Sequence, residues 1–238
     1  MQPDQSSLLE IVGITTPLIG FYDVPDTKPF EPFAKAKHCI FPCYENWLKG
    51  ESLCISKETF SCMGAGYWLC GVESISREKF VRFLAEAEGL KSSPALMNQW
   101  LDHYHPYKQE NPYIVIGPLR KEQYAYLKTI TFYVNPDQLS VLMIGTQYHG
   151  APSDPKPVLA PFGSGCSQLA ALFENFDLPQ AIIGTTDIAM RQYLPPDILA
   201  LTVTRSMFKQ LCELDENSFL YKPFWKSLRK ARGHIKKP

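Results

Sequence analysis

Apolar and polar positions alternate along this chain in short blocks, and the blocks change period. Phe80, Phe83, Leu84 and Ala87 recur at helical spacing after Ser76 and stop before Gly89, which predicts a serine-capped helix ending on glycine. Ser93 and Pro94 open a second helix, with Leu96, Met97, Trp100 and Leu101 on one face. Elsewhere the apolar blocks are short and bounded by turn residues, as strands are. Ser52 to Ser56, Tyr113 to Gly117, Thr129 to Asn135, Val158 to Ala160, Ala181 to Gly184 and Ile198 to Val203 read as strands, and Ile14 to Tyr22 as an extended segment around Pro17. Helices are expected at Cys39 to Lys49 after the break at Pro42, at Cys62 to Leu69 and from Pro136 to Met143 with Asn135 as N-cap. Further helices are expected from Cys166 to Phe176, over Thr185 to Arg191 and over Arg205 to Leu214. Strands alternating with helices predict an α/β or α+β fold, a mixed sheet with helices packed on it.

Phe60-Ser61-Cys62 before one helix resembles Phe162-Gly163-Ser164-Gly165-Cys166 before another. This echo admits two pseudo-repeated halves, residues 1–111 and 112–221, within a single compact domain spanning residues 1–221.

Composition sharpens a few of these points. The chain has 238 residues, 45% hydrophobic, enough for a substantial core. Its formal charge is zero, so no long-range attraction to nucleic acid is expected. Residues 222–238 nevertheless hold seven basic residues and no acid, and are expected to form a solvated basic tail. No apolar run is long enough to span a bilayer, and the first residues lack a secretory pattern, so a cytoplasmic location is expected. The seven cysteines are an odd number and read as reduced thiols. A homodimer is the default expectation for assembly.

Candidate chemistry centres on cysteine. Cys62 and Cys166 each precede an expected helix and lie beside glycines, Gly64 and Gly66 for the first and Gly165 for the second. A thiol at a helix start faces unpaired N–H groups that favour its anion. The readings are a metal or iron–sulfur ligand, a redox or nucleophilic thiol, or a buried inert cysteine. No Cys-x-x-Cys pair is present. His38-Cys39 with Cys43 offers further soft ligands, although Pro42 interrupts the spacing. His103-Tyr104-His105 reads as an exposed loop beside Pro106. The turns at Gly163 and at Gly184 to Asp187 are candidate anion cradles, and Arg191, four residues after Asp187, is a candidate ligand-orienting cation. The tryptophans read as core, since basic residues do not interleave them.

Several motifs, in this order, resemble the Domain of Unknown Function 169 family, from about Ile14 to Cys212. A cysteine-bearing helix ends in glycine, Cys43 to Gly50. Ser61-Cys62-Met63-Gly64 leads into Leu69-Cys70-Gly71. A strand enters Asn135-Pro136-Asp137-Gln138. Gly165-Cys166 follows, and then Asp187 with Arg191 precedes the last strand and helix. The resemblance implies no established activity. It implies that Cys62, Cys166 and either Cys39 or Cys43 fill recurring cysteine positions, and so a shared site. Its candidate occupants are an iron–sulfur cluster or zinc, with Cys39, Cys43, Cys62 and Cys166 as candidate ligands.

Three functional readings follow. The first is a cofactor- or metal-binding protein with Cys62, Gly64, Gly66, Gly165, Cys166, Asp187 and Arg191 about the site. The second is a non-enzymatic small-molecule binding module with structurally buried cysteines. The third is an interaction protein whose basic segment docks on a partner. No reaction is named by the sequence.

Overall fold

A computed structural model describes residues 4–36, 39–55, 62–70, 75–161 and 165–233, the Cys70 side chain excepted. In chain order the elements are α1 (Ser6–Val12), β1 (Ile19–Val24), α2 (Tyr44–Leu48), β2 (Leu53–Ile55), α3 (Met63–Cys70), α4 (Arg77–Arg82), α5 (Pro94–His103), β3 (Tyr113–Pro118) and β4 (Leu127–Val134). They continue with α6 (Pro136–Gly145), β5 (Val158–Leu159), β6 (Ala181–Gly184), α7 (Ile188–Arg191), β7 (Leu199–Thr204), α8 (Arg205–Cys212) and α9 (Pro223–Ala231).

The strands form one seven-stranded mixed sheet in the order β2-β3-β1-β4-β7-β6-β5. Every neighbouring pair is antiparallel except β5 with β6. Side chains alternate across the sheet, and both faces are covered. Tyr22, Val24, Phe132, Val134, Leu201 and Val203 face a layer built from α1, α6, α8 and Trp225 of α9. Ile19, Phe21, Ile114, Ile116, Tyr133 and Ala200 face the other layer, which holds α2, α3, α4 and α5. The fold is therefore α/β, with helices on both faces of a mixed sheet.

Local chemistry explains most element boundaries. Ser76 accepts from the Lys79 N–H at 3.3 Å, and Ser93 accepts from that of Leu96 at 3.2 Å. A π turn, Phe83–Ala87, extends α4, and Gly89 then takes a positive φ of 64°. Asn135 and Gln138 make a reciprocal capping box at α6, at 2.9 and 3.1 Å. Gln138 also donates to the Gly13 carbonyl at 2.7 Å, which ties α6 to the end of α1.

The segment from Cys166 to Phe176, expected as a helix, is not one. Only Ser167–Leu169 forms a 3-10 turn, and Ala170 leaves helical geometry at φ −151°. The turn is pinned to the sheet instead: the Thr129 hydroxyl donates to the Leu169 carbonyl, and Gln168 lies so close over β6 that a Cβ on Gly184 would fall 1.0 Å from Gln168 Oε1. The structure does not confirm the echo between the two cysteine segments, since Cys62 precedes a helix of eight residues and Cys166 a turn of three. The basic segment expected as a solvated tail forms α9 over residues 223–231. Trp225 is buried there and its indole donates to the Ile11 carbonyl at 2.7 Å, while Arg229 donates to the same carbonyl at 3.0 Å. No helix among the described residues is long and apolar enough to cross a membrane.

Gly184→Ala is expected to destabilise the fold by about 1–3 kcal/mol through overpacking against Gln168. Asn135→Ala should lose about 1 kcal/mol through its cap. Urea unfolding checks both; a neutral Gly184→Ala would mean that the 167–169 turn is free to move off β6.

Candidate functional site

Cys62 stands immediately before α3. This helix is apolar all round, with Ala65, Tyr67, Trp68 and Leu69 all at 2% exposure or less, so burial rather than amphipathicity holds it. Its first N–H groups converge on Cys62. The Gly66 N–H bonds to the Cys62 carbonyl at 2.8 Å, and those of Ala65 and Gly64 donate to its sulfur.

Two other thiols meet the same sulfur. Cys166 reaches it from the turn ahead of Ser167–Leu169, and Cys39 from the loop ahead of α2; both hydrogen-bond to Cys62. Gly64 borders them, since a Cβ there would sit 3.8 Å from both Cys62 Sγ and Cys166 Sγ. The pKa pattern follows from this arrangement. Hydrogen bonds from Cys166 and Cys39, then the two N–H groups, push Cys62 down to about 3, against the opposing effect of burial. Cys39 and Cys166 move the other way, first because they hydrogen-bond to Cys62 and then because they are buried. Cys62 is thus the anion, and its neighbours are the protonated donors.

The surroundings are acidic. Asp187 caps α7 by accepting from the Ala189 N–H at 2.9 Å. Its carboxyl is pushed up by burial and by the charge of Cys62. Burial first, then the charges of Asp187 and Cys62, push Glu88 up to about 7. None of the strongest influences on Cys62 is a cationic side chain. Behind the thiols lies Tyr133, 2% exposed, whose hydroxyl has no partner among the described residues. Burial holds its hydroxyl well above the usual phenol range.

The other candidates do different work. Cys43 is buried apart from the three thiols and is pushed up to about 11 by burial and by Glu51. Of the two competing cysteines, Cys39 is the one beside Cys62. Arg191 is engaged by the backbone of its own neighbourhood. Its guanidinium donates to the carbonyls of Pro195 at 3.0 Å, Pro196 at 2.8 Å and Ile198, clamping the loop before β7. Gly165 is a close-packing position, where a Cβ would fall 1.9 Å from Met190 Cε. The turn at Gly184 serves the fold: Thr185 adopts φ 60° and its hydroxyl accepts from the Ala200 N–H at 3.0 Å. His38, Phe60, Ser61, Gly71, Ser74, Phe162, Gly163 and Ser164 lie outside the described residues. Among the described residues, no group of three or more His, Cys, Asp or Glu side chains is placed to hold a metal ion as it stands.

Glu88 and Tyr133 carried no motif. Tyr133 was accessible through strand alternation, which puts it on the same face as Thr129 and Thr131. Glu88 had no comparable signal, because its approach depends on the π turn at the end of α4.

Alkylation by iodoacetamide at about pH 6 is expected to label Cys62 first, since ordinary thiols are then protonated. Its labelling midpoint should climb in Cys39→Ala and again in Cys166→Ala. A midpoint at the ordinary thiol value in the unaltered chain would overturn the assignment of the anion.

No curated protein and no solved structure matches this chain. One family model matches residues 7–214, under the description "Uncharacterised ArCR". That span covers most of the chain, which therefore belongs to the Domain of Unknown Function 169 family.

Proposed function

We propose that Cys39, Cys62 and Cys166 form a thiolate centre that binds a soft metal ion. The observation that carries this reading is the contact of both flanking thiols with the Cys62 sulfur at the start of α3. Thiolate ligands select soft or borderline cations such as zinc or iron.

Charge supports a cation over thiol attack on an anionic substrate. Reactive low-pKa cysteines usually sit in electropositive surroundings. Here the carboxyls of Asp187 and of a partly ionised Glu88 stand near Cys62, and burial, then its charge, push both of them up. A bound cation would relieve that repulsion. Among the described residues the thiols are not already arranged as a metal site, so loading would require the sulfurs to shift. Loading would also replace the thiol protons, because metal ligands must be deprotonated. The chemistry at the bound ion is left open by these residues.

The test is metal analysis of protein prepared without oxygen, followed by cobalt(II) titration of the metal-free chain. Thiolate-to-cobalt charge-transfer absorption is expected, with release of about two protons at neutral pH because Cys62 is already ionised. The band should vanish in Cys39→Ala, Cys62→Ala and Cys166→Ala and persist in Cys43→Ala. No such absorption, or equal loss in Cys43→Ala, would leave Cys62 as an isolated thiolate and overturn the metal reading.

A further inference from the structure

A cleft of about 480 Å³ opens between residues 103–110 and residues 170–176, and it shares no lining residue with the three thiols. Its volume lies within the range of small-molecule sites. The walls are aromatic and apolar: Tyr104, Tyr107, Leu172, Phe173 and Phe176.

These walls are held in place. The Tyr107 hydroxyl donates to Asp23 at 2.7 Å and its N–H donates to the Trp68 carbonyl at 2.8 Å. Its ring stands edge-on to Phe21 and to Phe176, at 5.2 and 5.9 Å between centroids. Tyr104 stacks on Trp100 at 5.8 Å. A preformed wall lowers the ordering entropy that a ligand must overcome.

The mouth carries opposite charges that do not meet. Glu110 is neutralised by Lys128 at 2.6 Å. Lys108 and Glu174 line the same cleft, are exposed, and have no ion-pair partner among the described residues. His103 and His105 add imidazole hydrogen-bonding groups at the rim. A ligand with one charge would answer only one of the two free ions.

We infer that this cleft binds an aromatic zwitterion, of the size of an aromatic amino acid or a small aromatic peptide. The ring packs against the wall formed by Tyr104, Tyr107 and Phe176, the carboxylate meets Lys108, and the ammonium meets Glu174. The site is independent of the thiolate centre, and the inference stands whether or not that centre binds metal.

Three probes of one ring separate the charge requirements: L-tyrosine, tyramine and 3-(4-hydroxyphenyl)propionate. Saturation-transfer NMR and calorimetry on the full chain should show L-tyrosine binding at least about tenfold more tightly than either single-charge analogue. Lys108→Ala should weaken L-tyrosine and leave tyramine unchanged. Glu174→Ala should weaken L-tyrosine and leave the propionate unchanged. Both positions are exposed, so the fold should survive, and circular dichroism checks it. Ala171→Trp, which fills the cleft, should abolish binding of all three. Absence of L-tyrosine binding, equal affinity for the three probes, or binding indifferent to Ala171→Trp would overturn the inference.

Discussion

Asp23 is an acidic residue near the end of the central strand β1, with no exposed surface. A carboxylate in such a place would be expensive without partners, on the order of several kcal/mol. It has a full set. Tyr107 Oη and the Glu110 N–H donate to one oxygen, both at 2.7 Å, and the Asn111 N–H donates to the other at 2.8 Å. The Asn111 amide then donates to the Asp23 carbonyl at 3.1 Å. The whole loop ahead of β3 is thereby fastened across the sheet. Tyr107 passes the constraint on, because its N–H bonds to the last turn of α3 through the Trp68 carbonyl. The helix that presents Cys62 and the loop that walls the aromatic cleft thus hang from one buried carboxylate.

That attachment gives α3 a defined position although little local preference supports it. Two glycines sit in its first turns, and glycine weakens a helix interior by roughly 1 kcal/mol relative to alanine. Burial of Trp68 and Leu69 and the Tyr107 tie compensate. Gly64 borders the thiols: a Cβ there would sit at ordinary contact distance, 3.8 Å, from the sulfurs of both Cys62 and Cys166.

The regular parts of the fold were legible because their signals are local. Asn135 with Pro136 and Gln138 encodes α6 within four positions, and Ser93 with Pro94 encodes the start of α5. Strand alternation placed β3, β4 and β7. The candidate site was legible only in part. Helix-start reasoning drew attention to Cys62, but the approach of Cys39 depends on a loop and a short 3-10 turn that no periodicity describes. Spacing pointed equally to Cys43, which the same turn carries into the core. The partners of Arg191 were not legible, because the three carbonyls beyond α7 that it meets in space carry no signal in side-chain spacing. The basic C-terminal segment was misread because its charges dominate the composition, while a single buried indole, Trp225, decides its structure.

The largest error of pattern reading is also the most informative one. Residues 166–176 carry apolar spacing that suits a helix, yet the chain abandons helical geometry at Ala170. Two sheet contacts compete with the helix there and win. Thr129 takes the Leu169 carbonyl, and Gln168 occupies the space that Gly184 leaves open. A continuing helix would have needed the Leu169 carbonyl for its own ladder. The chain then leaves the helical path, so that residues 170–176 wall the aromatic cleft while Cys166, at the other end of the turn, meets Cys62. The contacts with β4 and β6 that break the helix thus leave one short stretch of chain bordering both the three thiols and the aromatic cleft.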